Sequence, residues 1–187
     1  MLRRFLGRRW SAGYAIAGLV FLGATIRLFV SPSAVAIDDL EPADAVVMFA
    51  GGTGERLDAV FAVMEQDVAD TLVLPNGTVP GWRRGNRLCS GEADVDFRVI
   101  CPDPHPDNTR GEAQTIARIA AEEGWDSIIS VTSSYHVVRA DLRLSRCFDG
   151  RIQRVSAGHN RSRGAALSLI GHEWLGLVQA RVFQRGC

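Results

Sequence analysis

From Ala43 onward the chain alternates short apolar runs with longer stretches whose apolar residues recur at helical spacing. That alternation restricts it to few folds. Asp44–Phe49 predicts a strand running into Gly51-Gly52. Glu55–Gln66 predicts a helix with Leu57, Val60, Phe61 and Met64 on one face, and Thr71–Leu74 a strand ending at Asn76-Gly77. Phe97–Cys101, Ser127–Thr132 and Ile152–Ser156 continue the strand series. Arg110–Glu123, stopped by Gly124, and then Tyr135–Phe148 and Gly164–Phe183 supply helices. The polar, Arg-rich segment Gly81–Asp96 reads as irregular. Strands this short and this apolar fit a sheet buried on both faces, so the expected class is α/β with a mainly parallel sheet between helical layers.

Before this domain, Met1–Arg9 carries Arg3, Arg4, Arg8 and Arg9 and no acid. Trp10–Val30 is apolar apart from Ser11, Tyr14, Thr25 and Arg27, and as one helix it would rise about 30 Å, a bilayer's hydrocarbon thickness. The expectation is a cytoplasmic basic N-terminus (1–9), one transmembrane helix (10–30), a linker (31–42) and a domain (43–187) outside the plasma membrane. The four arginines set that orientation. A second reading remains open: Ala34-Val35-Ala36 matches a signal-peptide cleavage pattern, although the apolar run is longer than usual for one.

The extracytoplasmic reading suits the four cysteines, Cys89, Cys101, Cys147 and Cys187. A Cys89–Cys101 bridge is favoured, leaving Cys147–Cys187. Without C-x-x-C and with four scattered histidines, a zinc site is not expected. His172-Glu173 does not begin an H-E-x-x-H motif, because Gly176 stands at the second ligand position. The formal net charge is zero, which gives no electrostatic case for nucleic acid. The chain has no lysine, excluding Schiff-base chemistry and a P-loop lysine.

In parallel sheets ligands sit beyond the carboxyl ends of the strands, so the loops after each strand carry the site candidates. Gly51 and Gly52 permit close backbone approach to an anion, and Arg56 in the following turn suggests an anionic ligand, with a surface arginine as the ordinary alternative. Gly77 ends the second strand. Thr109 with Glu112 forms a capping box, which leaves the amide of Asn108 for a ligand. Thr132, Ser133, Tyr135, His136 and Arg139 make the richest cluster. His136 is an acid/base candidate, and Arg139, three residues on, shares its helix face and can hold a phosphate or carboxylate.

The Asp44-Ala45-Val46-Val47 run with Gly51-Gly52, Arg56, Asn108-Thr109 and the block Thr132-Ser133-Ser134-Tyr135-His136-Val137-Val138-Arg139-Ala140 resemble the YdcF/SanA/ElyC-like family over roughly 43–182. The resemblance implies a Rossmann-like three-layer domain, often with an N-terminal anchor, and a role in maintaining peptidoglycan or the surface barrier. Two departures stand out. Asn76-Gly77-Thr78 replaces S-G-G, and Asn108-Thr109-Arg110-Gly111-Glu112-Ala113 replaces N-T-x-E-N-A with the acid displaced by one.

Three functions remain in view. The first is an envelope protein acting on an anionic small molecule or lipid-linked precursor, with no cofactor specified. The second is a non-catalytic ligand-binding or regulatory module, and the third is a cytosolic nucleotide-dependent enzyme.

Overall fold

The computed structural model describes residues 2–30, 33–51, 54–75, 81–158 and 163–187. Five strands form one sheet: β1 (Ala45–Met48), β2 (Thr71–Val73), β3 (Arg98–Ile100), β4 (Ser127–Ser133) and β5 (Arg151–Ala157). Their order is β3-β2-β1-β4-β5, and every pairing is parallel. The chain runs outward from β1 to β3, then returns to place β4 on the other side of β1. The topological switch point therefore lies between β1 and β4, and the architecture is Rossmann-like α/β.

The alternation along the strands sorts the core into two layers. Val46, Met48, Ile129 and Val131 face one side, where they pack with Leu57, Val60 and Val63 of α2 (Glu55–Met64). Val47, Val73 and Ile128 face the other, against Ala113, Ile116 and Ile119 of α4 (Thr109–Glu123) and Ala140 and Leu144 of α5 (Val137–Leu144). Burial of both faces explains the absence of polar alternation in β1.

The segment expected to be irregular contains a short helix, α3 (Arg83–Cys89). Gly85 and Asn86 obscure its periodicity, because both are weak helix formers. Tertiary restraints compensate: Leu88 is buried in the core, and Cys89 is bridged to Cys101 at the end of β3. The second bridge joins Cys147 to Cys187, so both expected pairings are formed.

The N-terminal run differs from its expectation. Helix α1 (Leu2–Thr25) ends five residues early, and Ile26–Val30 continues as one wider π-helical turn. Among the described residues no helix is long and apolar enough to cross a membrane. The end of the run instead packs on the domain. Phe29 is buried with Tyr135 of the β4–α5 connection and Leu177 of α6 (Arg163–Val178), and Phe21 stacks on Trp174 at 5.3 Å between ring centroids. Tyr14, Ile16, Leu19, Val20 and Phe21 remain exposed. The expected linker is partly docked as well: Val35 donates its amide to the Arg154 carbonyl of β5, and Glu41 and Gln153 exchange two hydrogen bonds.

After α6 the chain makes a last π-helical turn, Gln179–Phe183, and the tail is tied back. Arg143 donates to the carbonyl and side chain of Gln184, and Arg110 donates to the Cys187 carbonyl.

Candidate functional site

The carboxyl ends of β1 and β4 carry a network of buried polar side chains at the switch point. Its first half lies on the α2 side. Arg56, in the first turn of α2, is only 4% exposed. Its Nε donates to Ser133 Oγ at 2.8 Å, and its Nη1 donates to the carbonyls of Phe49 and Ala50. Ser133 in turn donates to Glu55 Oε1 at 2.7 Å. Arg56 is therefore neither a surface residue nor an unengaged one. It stitches the β1–α2 loop to the end of β4. Among the described residues, however, no carboxylate forms an ion pair with it. Gly51 fits the turn beside Arg56 because its φ of +94° lies in the region that favours glycine.

The second half lies on the α4–α5 side. Arg139 of α5 donates Nε and Nη2 to the two oxygens of Glu173 at 2.7 and 2.8 Å, and Nη1 to Thr109 Oγ1 at 2.7 Å. His136 Nδ1 lies 3.2 Å from both Glu173 oxygens. The three-residue spacing of His136 and Arg139 thus brings both to one carboxylate. Glu173 comes from α6 and is 2% exposed. Burial opposes its ionisation, but the Arg139 and His136 hydrogen bonds prevail and hold its carboxyl at about 2. Burial pushes His136 down to about 4 against the pull of Glu173, so near neutrality the ring is uncharged. A neutral ring beside a carboxylate places its proton on Nδ1, which donates to Glu173 and leaves the Nε2 lone pair as an acceptor.

Glu112 links the two halves. It reaches across to the β1–α2 loop, where the Ala50 amide donates to Oε1 at 2.6 Å. Burial pushes this carboxyl up to about 7, against the Ala50 hydrogen bond and the charges of Arg56 and Arg139.

Several sequence expectations are corrected here. Helix α4 is capped by Asn108, not Thr109: Asn108 Oδ1 accepts the amides of Arg110 and Gly111, and Thr109 is the first helical residue. The Asn108 side-chain oxygen therefore serves the helix instead of reaching toward a ligand. Glu112 leaves its expected capping partner because the Ala50 amide is within reach. Tyr135 sits in the apolar contact with Phe29 and Leu177. Thr132 is buried, on the α4–α5 face by strand alternation from Ile128, and its Oγ1 has no hydrogen-bond partner among the described residues. Gly52 and Gly77 lie outside the described residues.

Sequence reasoning missed Glu173, considering it only as part of a failed zinc motif. A usable signal was present. Between Ala165 and Val178 it is the one acidic residue in a mostly apolar helix whose other polar side chains are Ser168 and His172, and a buried carboxylate requires a cationic partner. Among the described residues no cluster of histidine, cysteine and acidic side chains fits a metal ion.

A cleft of about 880 Å³ lies elsewhere, at the amino ends of the strands, with Asp44, Asp70, Phe97, Arg98 and Trp125 among its lining. Its charges are mostly exposed and its ion pair, Arg98–Glu123, is a surface one. Glu112, His136 and Glu173, buried and shifted in pKa, lie at the opposite edge, where parallel sheets bind ligands, which makes that edge the candidate site.

No family model and no curated protein matches the chain. Among solved structures, it is similar to a predicted subunit of tRNA methyltransferase from Methanocaldococcus jannaschii, with 18% identity over 70% of this chain and 76% of that one and a TM-score of 0.29. A likeness of that size carries no functional argument.

Proposed function

We propose that the protein is a membrane-tethered, extracytoplasmic module of cell-envelope upkeep that binds a phosphate- or carboxylate-bearing molecule above the switch point. The observation that carries the reading is Arg56: a buried guanidinium hydrogen-bonded to neutral acceptors, with no carboxylate at ion-pair distance among the described residues. A buried cation in that state is stabilised by an incoming anion. Arg139 belongs to the other half of the network, and its charge is matched by Glu173. His136 takes the acid/base role, with Glu173 orienting the ring so that Nε2 accepts a proton. Two disulfides suit an oxidising compartment, the exposed apolar residues of α1 suit contact with lipid, and the resemblance to YdcF/SanA/ElyC-like sequences supports the envelope role.

One observation favours a binding module without turnover. Ser133, three residues before His136, is fully buried and hydrogen-bonded to Glu55 and Arg56, so its hydroxyl is not presented as a nucleophile. Incubating the purified chain with envelope extract and following the anionic components by mass spectrometry separates the readings. Retention of an anion that is lost with Arg56→Gln supports binding, and its conversion by wild type but not by His136→Ala supports catalysis. If no anion is retained by wild type, the proposal fails.

A further inference from the structure

Within the proposed site, one carboxylate already occupies the position an anion would take. The β1–α2 loop at the switch point offers a backbone N–H, that of Ala50, in the place where Rossmann-like folds receive an anionic group. Its acceptor is Glu112 Oε1 at 2.6 Å, from a helix on the opposite side of the sheet. Arg56 donates to the Phe49 carbonyl, which shares its peptide group with that N–H, so the Glu112 carboxyl and the Arg56 guanidinium meet on one peptide. Three residues before Glu112, Thr109 accepts from Arg139. At the carboxyl end of β4, the buried Thr132 hydroxyl lacks a partner among the described residues.

We infer that Glu112 is a built-in occupant of an oxyanion seat formed by the Ala50 amide beside Arg56 and Arg139, and that an oxyanion ligand enters by displacing it. This inference rests on the anion-binding reading above. Glu112 is 4% exposed, and a displaced carboxyl that stays beside the loop must shed its charge: ligand entry is coupled to uptake of one proton by Glu112. The groups facing it are Arg56 from α2 and Arg139 from α5, which favour the charged form, and Asp107 before α4, which disfavours it. Its elevated pKa, near neutrality, makes that proton available at modest cost. The ligand class is an oxyanion, as carried by a phosphate monoester, whether free in solution or on a lipid headgroup.

The test uses the full chain in detergent with inorganic sulfate, whose charge is constant across the pH range, while the Ala50 amide resonance is followed by NMR. For wild type, affinity is expected to fall by up to tenfold for each pH unit above 7 and to be flat below 6. Glu112→Gln is expected to bind at least tenfold more tightly than wild type at pH 8, without the pH dependence. Repeating the comparison with glycerol 3-phosphate and with short-chain phosphatidic acid separates a free oxyanion from a lipid headgroup, and the Glu112→Gln gain is expected with whichever binds. Sulfate that shifts Ala50 equally in wild type and Glu112→Gln, without pH dependence, overturns the displacement and leaves anion binding standing. If neither protein binds any of the three anions, both readings fall. The wild-type pH series requires no variant, so a misfolded substitution does not protect the inference.

Discussion

Arg139 and Glu173 meet through two parallel hydrogen bonds, 2.7 and 2.8 Å long, that join α5 to α6 beneath the site. The carboxylate is almost wholly buried, and the arginine side chain is 16% exposed. Removing one partner of a buried pair strands the other, at a cost of about 3–5 kcal/mol. Glu173→Ala is expected to lower stability by that amount in urea denaturation. Gly176 permits the pairing, since a Cβ there would stand 2.6 Å from Arg139 Cδ. Gly176→Ala is expected to destabilise less, by about 1–3 kcal/mol, because the long arginine side chain can shift. Equal stability of Glu173→Ala and wild type would show that the pair does not hold the helices together.

Glu112 and His136 pull the pH dependence of stability in opposite directions. Between about pH 4.5 and 7 the unfolded chain ionises Glu112 while the folded chain retains the proton, so rising pH destabilises the fold. Between pH 6.5 and about 4 the unfolded chain protonates His136 while the folded chain resists, so falling pH destabilises it. Over the shared window the two effects offset. Glu112→Gln leaves the histidine effect alone, and its stability is expected to drop by on the order of 2 kcal/mol from pH 6.5 to 4.5 relative to wild type. Parallel curves for the two proteins in urea titrations across that window would refute the assignment.

Gly111 holds the start of α4 against the preceding turn. A Cβ there would stand 1.9 Å from the Pro106 carbonyl oxygen, a backbone atom that cannot step aside. Gly111→Ala is expected to cost 2 kcal/mol or more, roughly, despite alanine's better helix propensity. Thermal melting checks the sign. A rise in melting temperature would mean that the turn moves freely.

The two disulfides should contribute unequally. Cys89–Cys101 spans 12 residues and Cys147–Cys187 spans 40. In the loop-entropy model they contribute about 3 and about 4 kcal/mol. Replacing the second pair by serine should also loosen the tail held by Arg143 and Arg110, visible as faster amide exchange after Ala180. Unchanged exchange there would mean that the arginines alone suffice.

Local pattern was enough for the alternation of strands and helices and the two-sided burial of the sheet, because each follows from spacing along the chain; it favoured Cys89–Cys101, but four cysteines allow three pairings and only the tertiary structure chose among them. The face shared by His136 and Arg139 was likewise legible from a three-residue step. Helix α3 was not, because a disulfide and one buried leucine stabilise what its own residues do not. The length of the N-terminal run suggested a straight span, whereas contact with Trp174 and Leu177 accompanies an α-helix that stops at Thr25. Above all, the partners of the charged groups came only from the tertiary structure. Arg56 turns inward to carbonyls seven and six residues before it, Glu112 crosses to Ala50, and Glu173 arrives from the last helix to meet Arg139. Sequence determines which residues carry charge and on which face of an element they stand. Which charges are stripped of water and which partners they then require depends on how β1 and β4 are brought side by side.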